Sequence, residues 1–440
     1  MNDRIRIDTG TNQSVNFLKN GVKMIVVEKP NAPVHLRLIT LGGDALNPGQ
    51  TRGSAHFAEH MILAGTERYP SKDRIALHMD QYGGSAGGAT SAEVMYMNIR
   101  VAAGEYIENV FSILRELLEK STLSPKVMET ERGAILSEYK GAYAKSESKT
   151  ARAFMEAILK GTAYEFPVLG SLDTISGISV TDIQDFLRRQ LKGGKIGVVL
   201  SGDISRKEAV RLCEEALSFI QDSPVERLDP KQKILVPENF DPSLQVQHIE
   251  ANEDVSNVRI GFRMPNLSNS EYRKEYGLIA GIVGGGRSSL LNTLFRYETG
   301  LVYSISAGVS SYMAGPGMFQ IGTNCRSEHL VGVVAKLLDF MKKDALNLLT
   351  EERFLLAKKK QIALMKTSFE TAEQWISFHH SGSIRTEDTT IDDEVNMWQD
   401  MTYERFCLAA AHMFSPKNIY LSYSSKENKD EEIKALFSKD

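Results

Sequence analysis

An order of elements laid down between residues 34 and 201 is run through again between 258 and 423, about half a chain later. Residues 34–40 alternate apolar and polar groups as a strand does, and so do 258–263. Leu123-Ser124 opens a helix with Pro125 in its first turn, and Leu349-Thr350 opens another. Thr181-Asp182 caps a helix running to Leu191, which Met401-Thr402 to His412 repeats. Strands at 195–201 and 418–423 follow them. Self-similarity of this kind marks two copies of one unit, each unable to be the whole core of a 440-residue chain. The expected fold class is α+β: two similar units, each a mainly antiparallel sheet packed with helices. Pro224, Pro230, Pro237 and Pro242 among charges mark 223–242 as a linker between domains at 1–222 and 243–440.

The first unit reads further. A turn at Lys19-Asn20-Gly21 precedes a strand at 22–27, and residues 75–82 form a helix stopped by Gly83-Gly84. Residues 94–100 alternate as a strand. The stretch 107–118 is helical, with Val110, Leu114 and Leu118 on one side, and 205–220 is helical as well.

Within this unit the stretch 53–66 stands out, because it holds His56, Glu59 and His60 in the order H-x-x-E-H. Its neighbours Ala55, Phe57, Ala58, Met61, Ile62 and Leu63 favour a buried helix ending near Gly65. Positions i and i+4 share a face, so both imidazoles point the same way, one turn apart. That spacing suits two ligands of one metal ion with Glu59 beside them, the H-E-x-x-H zinc-protease helix in reverse. The second unit has no such motif, which predicts one zinc per chain.

A catalytic zinc takes three protein ligands and keeps one position open. The helix opening at Ser124 offers Glu131 and Glu138, two turns apart on one stripe with Ala134 and Ile135 between them. Carboxylates on a buried face need a cation or donors, so one is assigned to the metal and the other to orienting an imidazole. Spacing does not say which is which. Glu59 is then the general base for the attacking water.

Composition excludes other classes. A net charge of −4 offers no basic excess for nucleic acid. Cys213, Cys325 and Cys407 are far apart and in no C-x-x-C spacing, as free thiols in a reducing compartment would be. Residues 1–8 carry no apolar h-region and no apolar run reaches the ~20 residues of a membrane span, so a cytoplasmic protein without membrane contact is expected. His379-His380 are adjacent and diverge, so they are set aside as ligands, and His35 and His78 are read as core or surface histidines. Gly284-Gly-Gly286 lacks the G-K-[ST] ending of a phosphate loop and reads as a turn between helices or a loop at a chamber mouth.

Taken together these residues resemble the pitrilysin-type (inverzincin) metallopeptidases, which include insulin-degrading enzymes and mitochondrial processing peptidase. The likeness runs through Leu18-Lys-Asn-Gly-Val-Lys23, 53–66, Tyr82-Gly-Gly84 with Thr90-Ser91, 131–138, 284–290 and 294–303. It implies that His56, His60 and Glu138 bind zinc, that Glu131 supports the site and that Glu59 is the base. It implies further that Arg296 and Tyr303, spaced R-x6-Y, hold substrate and stabilise the oxyanion. From residue chemistry alone Arg296 is a surface cation and Tyr303 a strand aromatic.

The chain departs from the family where an Asn-Ala is usual. Ala86-Gly87-Gly88-Ala89 stands there, on the edge strand that pairs with the substrate backbone, so backbone pairing survives but a side-chain contact is lost. A two-unit chain resembles the short members, which pair into a clamshell. The resemblance therefore implies a zinc endopeptidase acting on peptides or unfolded segments, as a homodimer or as a heterodimer with a paralogue. Its rivals are a dedicated maturation protease for one precursor and a non-catalytic assembly subunit.

Overall fold

The computed structural model describes residues 9–46, 51–224, 243–385, 389–415 and 418–437. The first sheet holds β1 (Asn12–Phe17), β2 (Lys23–Glu28), β3 (Val34–Leu41), β4 (Ser85–Thr90), β5 (Val94–Val101) and β6 (Ile196–Gly202), in the order β1-β2-β6-β3-β5-β4. The second holds β7 (Leu244–Glu250), β8 (Val255–Met264), β9 (Val302–Ser311), β10 (Gly317–Arg326) and β11 (Ile419–Ser425), in the order β7-β11-β8-β10-β9. Apart from β1 the two layouts match strand for strand. In each, one pair is parallel (β2–β6 and β7–β11) and the rest antiparallel, so both sheets are mixed. The duplication read from sequence is a duplication of sheet topology. Each copy leaves a corresponding strand, β4 or β9, at an edge.

Helix ends follow local chemistry. Ser124 accepts from the Val127 N–H at the start of Pro125–Ala142, and Thr350 and Thr402 cap Glu351–Met365 and Tyr403–Met413 in the same way. The helix at Val180–Gln190 is capped two residues earlier than its sequence indicates. Ser179 and Asp182 form a reciprocal capping box there, and Thr181 is already inside. The proposed linker falls almost wholly outside the described residues.

The two sheets do not keep to their own helices. One face of the first sheet, with Met24, Val26, Leu36, Leu38 and Met97, packs on Phe57, Ile62, Leu114 and Phe186 from its own half. The opposite face meets the second half: Ile39 and Val199 touch Ile376 and Ile384, and Val27 joins Phe369 and Trp375. In return the helix Ser146–Leu159 lays Phe154 and Ile158 against Met318 and Tyr420 of the second sheet. Strands covered on both faces lose their alternation, which is why Lys23–Glu28 and Ile196–Gly202 are apolar nearly throughout. Lys23 is the buried charge among them. Its ammonium donates to the carbonyls of Gly382 and Arg385 at 2.9 and 3.2 Å.

Candidate metal centre

The helix Ser54–Leu63 enters from Gly53, whose φ of +91° a side chain would resist. Space demands glycine as well, since a Cβ would stand 2.9 Å from the Leu169 carbonyl. The Gly53 N–H donates to both carboxylate oxygens of buried Asp44 at 3.0 Å. Backbone and carboxylate together fix where the helix starts, and with it where His56 and His60 point.

The helix Pro125–Ala142 packs beside it and supplies both glutamates. Glu138 Oε2 lies 3.6 Å from His56 Nε2 and 3.6 Å from His60 Nε2. Ligand atoms on a tetrahedral zinc with bonds of about 2.1 Å stand about 3.4 Å apart. All three donor atoms fall within 4.8 Å of one another, so the set fits that ion. Glu131 turns to the other side of His60 and meets its Nδ1 at 3.0 Å. An Nδ1–H bonded there leaves the Nε2 lone pair free for a metal.

Electrostatics favour the same use. Burial, and then the neighbouring His60, push the His56 imidazole down to about 4, so it is neutral near pH 7. Burial raises the Glu59 carboxyl, opposed by a hydrogen bond from Thr90. That bond runs from Thr90 Oγ1 to Glu59 Oε2 at 2.6 Å. Two contributors had no role assigned from sequence. One is Thr90. The other is Lys72, at the start of the helix Lys72–Asp80, whose Nζ lies 2.6 Å from Glu131 Oε2. Sequence spacing carries no signal for Lys72, because nothing in the chain order links it to Glu131.

The edge strand β4 crosses over Glu59. Its pairing is with β5 alone, Gly87 opposite Asn98 and Gly88 opposite Met97, which leaves one backbone edge open. A Cβ on Gly88 would stand 2.8 Å from Glu59 Cγ, whereas one on Gly87 would meet nothing within 4 Å. Ala86 and Ala89 flank them on the same strand.

Arg296 and Tyr303 lie in the second half. Arg296 is exposed on the π-helix Asn292–Tyr297, over the Tyr297 ring at 5.8 Å. Tyr303 is exposed on β9. Among the described residues neither makes a hydrogen bond to His56, Glu59, His60 or Glu138 in its own chain. Three other histidines make contacts away from the donor set. His379 stacks on Trp375 and His78 on Tyr69, while His35 pairs with Glu373 at 2.9 Å.

Comparison with known proteins gives a consistent set. A family model described as insulinase (peptidase family M16) matches residues 23–171, and one described as the peptidase M16 inactive domain matches 177–361. A protein described as an uncharacterized zinc protease of Rickettsia bellii is 25% identical over 371 residues, 82% of this chain and 86% of its own. The beta subunit of mitochondrial-processing peptidase from Dictyostelium discoideum is 24% identical over 236 residues, 54% of this chain and 50% of that one. A crystal structure of a protease from Helicobacter pylori has the same fold, with a TM-score of 0.82 at 14% identity over 94% of this chain and 100% of that one.

Proposed function

This chain belongs to the M16 family of pitrilysin-type metallopeptidases, and on that premise we propose that it is a zinc-dependent endopeptidase. The observation that carries the reading is the conjunction at Glu59. A buried carboxylate stands beside a three-donor set that fits zinc, under a strand with one open edge. When bound at His56, His60 and Glu138, zinc would supply Lewis acidity, lowering the pKa of water and polarising a carbonyl. The protein's own groups do the rest. Peptide backbone adds to the edge of β4 along Ala86–Ala89, Thr90 orients Glu59, and Glu59 takes the proton of the attacking water and passes it to the leaving amine. Glu131 holds the His60 ring.

The substrates are peptides or unfolded segments in a chamber closed by two chains, a homodimer or a pair with a paralogue. In that assembly Arg296 and Tyr303 of one subunit serve the zinc of the other, binding substrate and the oxyanion. Mixing His60→Ala with Tyr303→Phe chains then restores part of the activity, and no recovery in verified mixed dimers counts against sharing between subunits. We place the protein in the cytoplasm, on the ground that Cys213, Cys325 and Cys407 are unpaired. No helix among the described residues is long and apolar enough to cross a membrane.

Digestion of a mixed peptide library, read by mass spectrometry with and without a chelator, tests the reading. Zinc-restorable cleavage at many sites supports a general chamber protease. Silence from a folded, zinc-loaded protein favours one of two other readings: a dedicated precursor, or a non-catalytic assembly subunit. The second has little support here, because a scaffold has no use for Glu59.

A further inference from the structure

We propose that Glu93 is a positioning residue. From the turn between β4 and β5 it seats the second half of the chain against the first and, through that turn, holds Thr90 against the base. Its functional consequence rests on the protease reading above.

Glu93 is 6% exposed, a burial that is costly for an unpaired carboxylate. It is fully paired, and by groups far away in sequence. The Tyr164 hydroxyl donates to Oε1 at 2.8 Å and the Ala314 N–H to the same oxygen at 2.7 Å, while the Met313 N–H donates to Oε2 at 2.7 Å. Met313 and Ala314 belong to the turn between β9 and β10. Backbone donors on an ionised acceptor make strong, directional bonds.

That turn is shaped to receive the carboxylate. Asn266 Nδ2 donates to the carbonyls of Tyr312 and Met313 at 3.1 and 3.2 Å, and to that of Gly315. Tyr312 stacks on Tyr164 with ring centroids 4.1 Å apart. Gly315 lies so close to the same ring that an added Cβ would overlap it.

On its own side Glu93 sits in a stiff frame. Its carbonyl accepts from the Gly42 N–H at 2.8 Å, and the Ala92 carbonyl accepts from the Ala45 N–H at 2.8 Å. Ser91 Oγ accepts from the N–H groups of Glu93 and Val94, at 3.3 and 3.2 Å. Thr90 comes directly before this frame, with its hydroxyl on Glu59. Other ties join the two halves, such as Arg37 to Glu373 at 3.0 Å. At Glu93, however, the tied backbone reaches the base within three residues. Alignment of Glu59 thus depends on the second half being seated, and the open edges β4 and β9 are set relative to each other through their turns.

Two full-chain variants approach the clamp from opposite sides. Glu93→Gln replaces one acceptor oxygen by an amide that faces N–H donors. Gly315→Ala leaves the carboxylate intact and drives the turn off through the Tyr164 ring. Each, loaded with zinc, is expected to lower kcat at least about tenfold on a peptide the parent cleaves, since small displacements of reacting groups cost that much or more. KM should move less than about threefold, zinc affinity by chelator competition should not change, and the double variant should be little worse than the poorer single, as coupled residues behave. Amide exchange should quicken at 85–91 as well as at 312–316. Parental kcat in Glu93→Gln, a loss confined to KM or zinc affinity, or faster exchange at 312–316 alone would overturn the proposal. Should the parent cleave no peptide, the protease reading fails on its own, and exchange at 85–91 still decides whether the clamp holds β4.

Discussion

Glu59 Cγ stands 2.8 Å from where a Cβ on Gly88 would be, so Glu59 and the edge strand are in contact at a point that only glycine leaves free of strain. Side chains alternate along a strand, and Gly87 faces the open side, with nothing within 4 Å of its own added Cβ. The two glycines therefore carry different demands. Gly88→Val is expected to displace Glu59 and lower kcat/KM by about a hundredfold or more while zinc stays bound, as misplaced catalytic groups do. Gly87→Val should keep kcat within about threefold of the parent and act on KM, because its side chain leaves Glu59 untouched and enters the open space beside the substrate edge. Steady-state kinetics on one fluorogenic peptide, with zinc content measured in parallel, separates them. Equal losses of kcat in both variants would mean that strand stiffness, not contact with Glu59, is what matters.

Glu59 itself allows a cleaner test. Glu59→Gln keeps the shape and can still accept the Thr90 hydroxyl, but it cannot take a proton. Turnover should fall by about two to four orders of magnitude, the range for a lost general base, with zinc affinity and KM near parental values. A fall in zinc affinity of similar size would instead make Glu59 part of the donor set.

Much of this arrangement was legible in the chain and some was not. His56, Glu59 and His60 are placed by one helix, so the 3.6-residue period alone predicts their common face. Glu131 and Glu138 were recognisable as a pair, because seven residues are two turns. Their division of labour was not. It depends on how a second helix docks, and the 3.6 Å approaches of Glu138 to both imidazoles are set by that docking. Lys72 and Glu93 gave no signal at all, since the partner of Lys72 is 59 residues away and those of Glu93 are 71, 220 and 221 away. The exchange of helices between the sheets was hidden for a related reason. Ser146–Leu159 is amphipathic whichever sheet it covers, and periodicity does not name the partner.

The relay behind His60 carries a prediction of its own. Glu131 bridges His60 Nδ1 and the Lys72 ammonium, at 3.0 and 2.6 Å. Partners of this kind fix a ligating ring and commonly change metal affinity by 10–100-fold when removed. Glu131→Gln should weaken zinc by about that much. Lys72→Met should weaken it less, by several-fold, because Lys72 is half exposed and acts only through Glu131. Competition against a chromophoric chelator reads both. A larger effect at Lys72 than at Glu131 would place the lysine in direct contact with the site.

Acid should expose the His56 imidazole in metal-stripped protein. Burial, reinforced by His60, holds it at about 4 against an ordinary value of 6.5. Between those two values the unfolded chain binds a proton that the folded chain refuses. Stability is therefore unaffected above pH 6.5 and falls as the pH drops from 6.5 towards 4. The fall has an upper bound of about 3 kcal/mol, a tenfold difference in proton affinity being worth about 1.4 kcal/mol. His56→Gln, which cannot titrate, should flatten that part of the profile. Urea midpoints measured at half-unit steps from pH 7.5 to 4.0 give the comparison. Parallel profiles for the two proteins would assign the acid sensitivity to another buried histidine, with His380, itself held at about 4 by burial and Arg37, the next to replace.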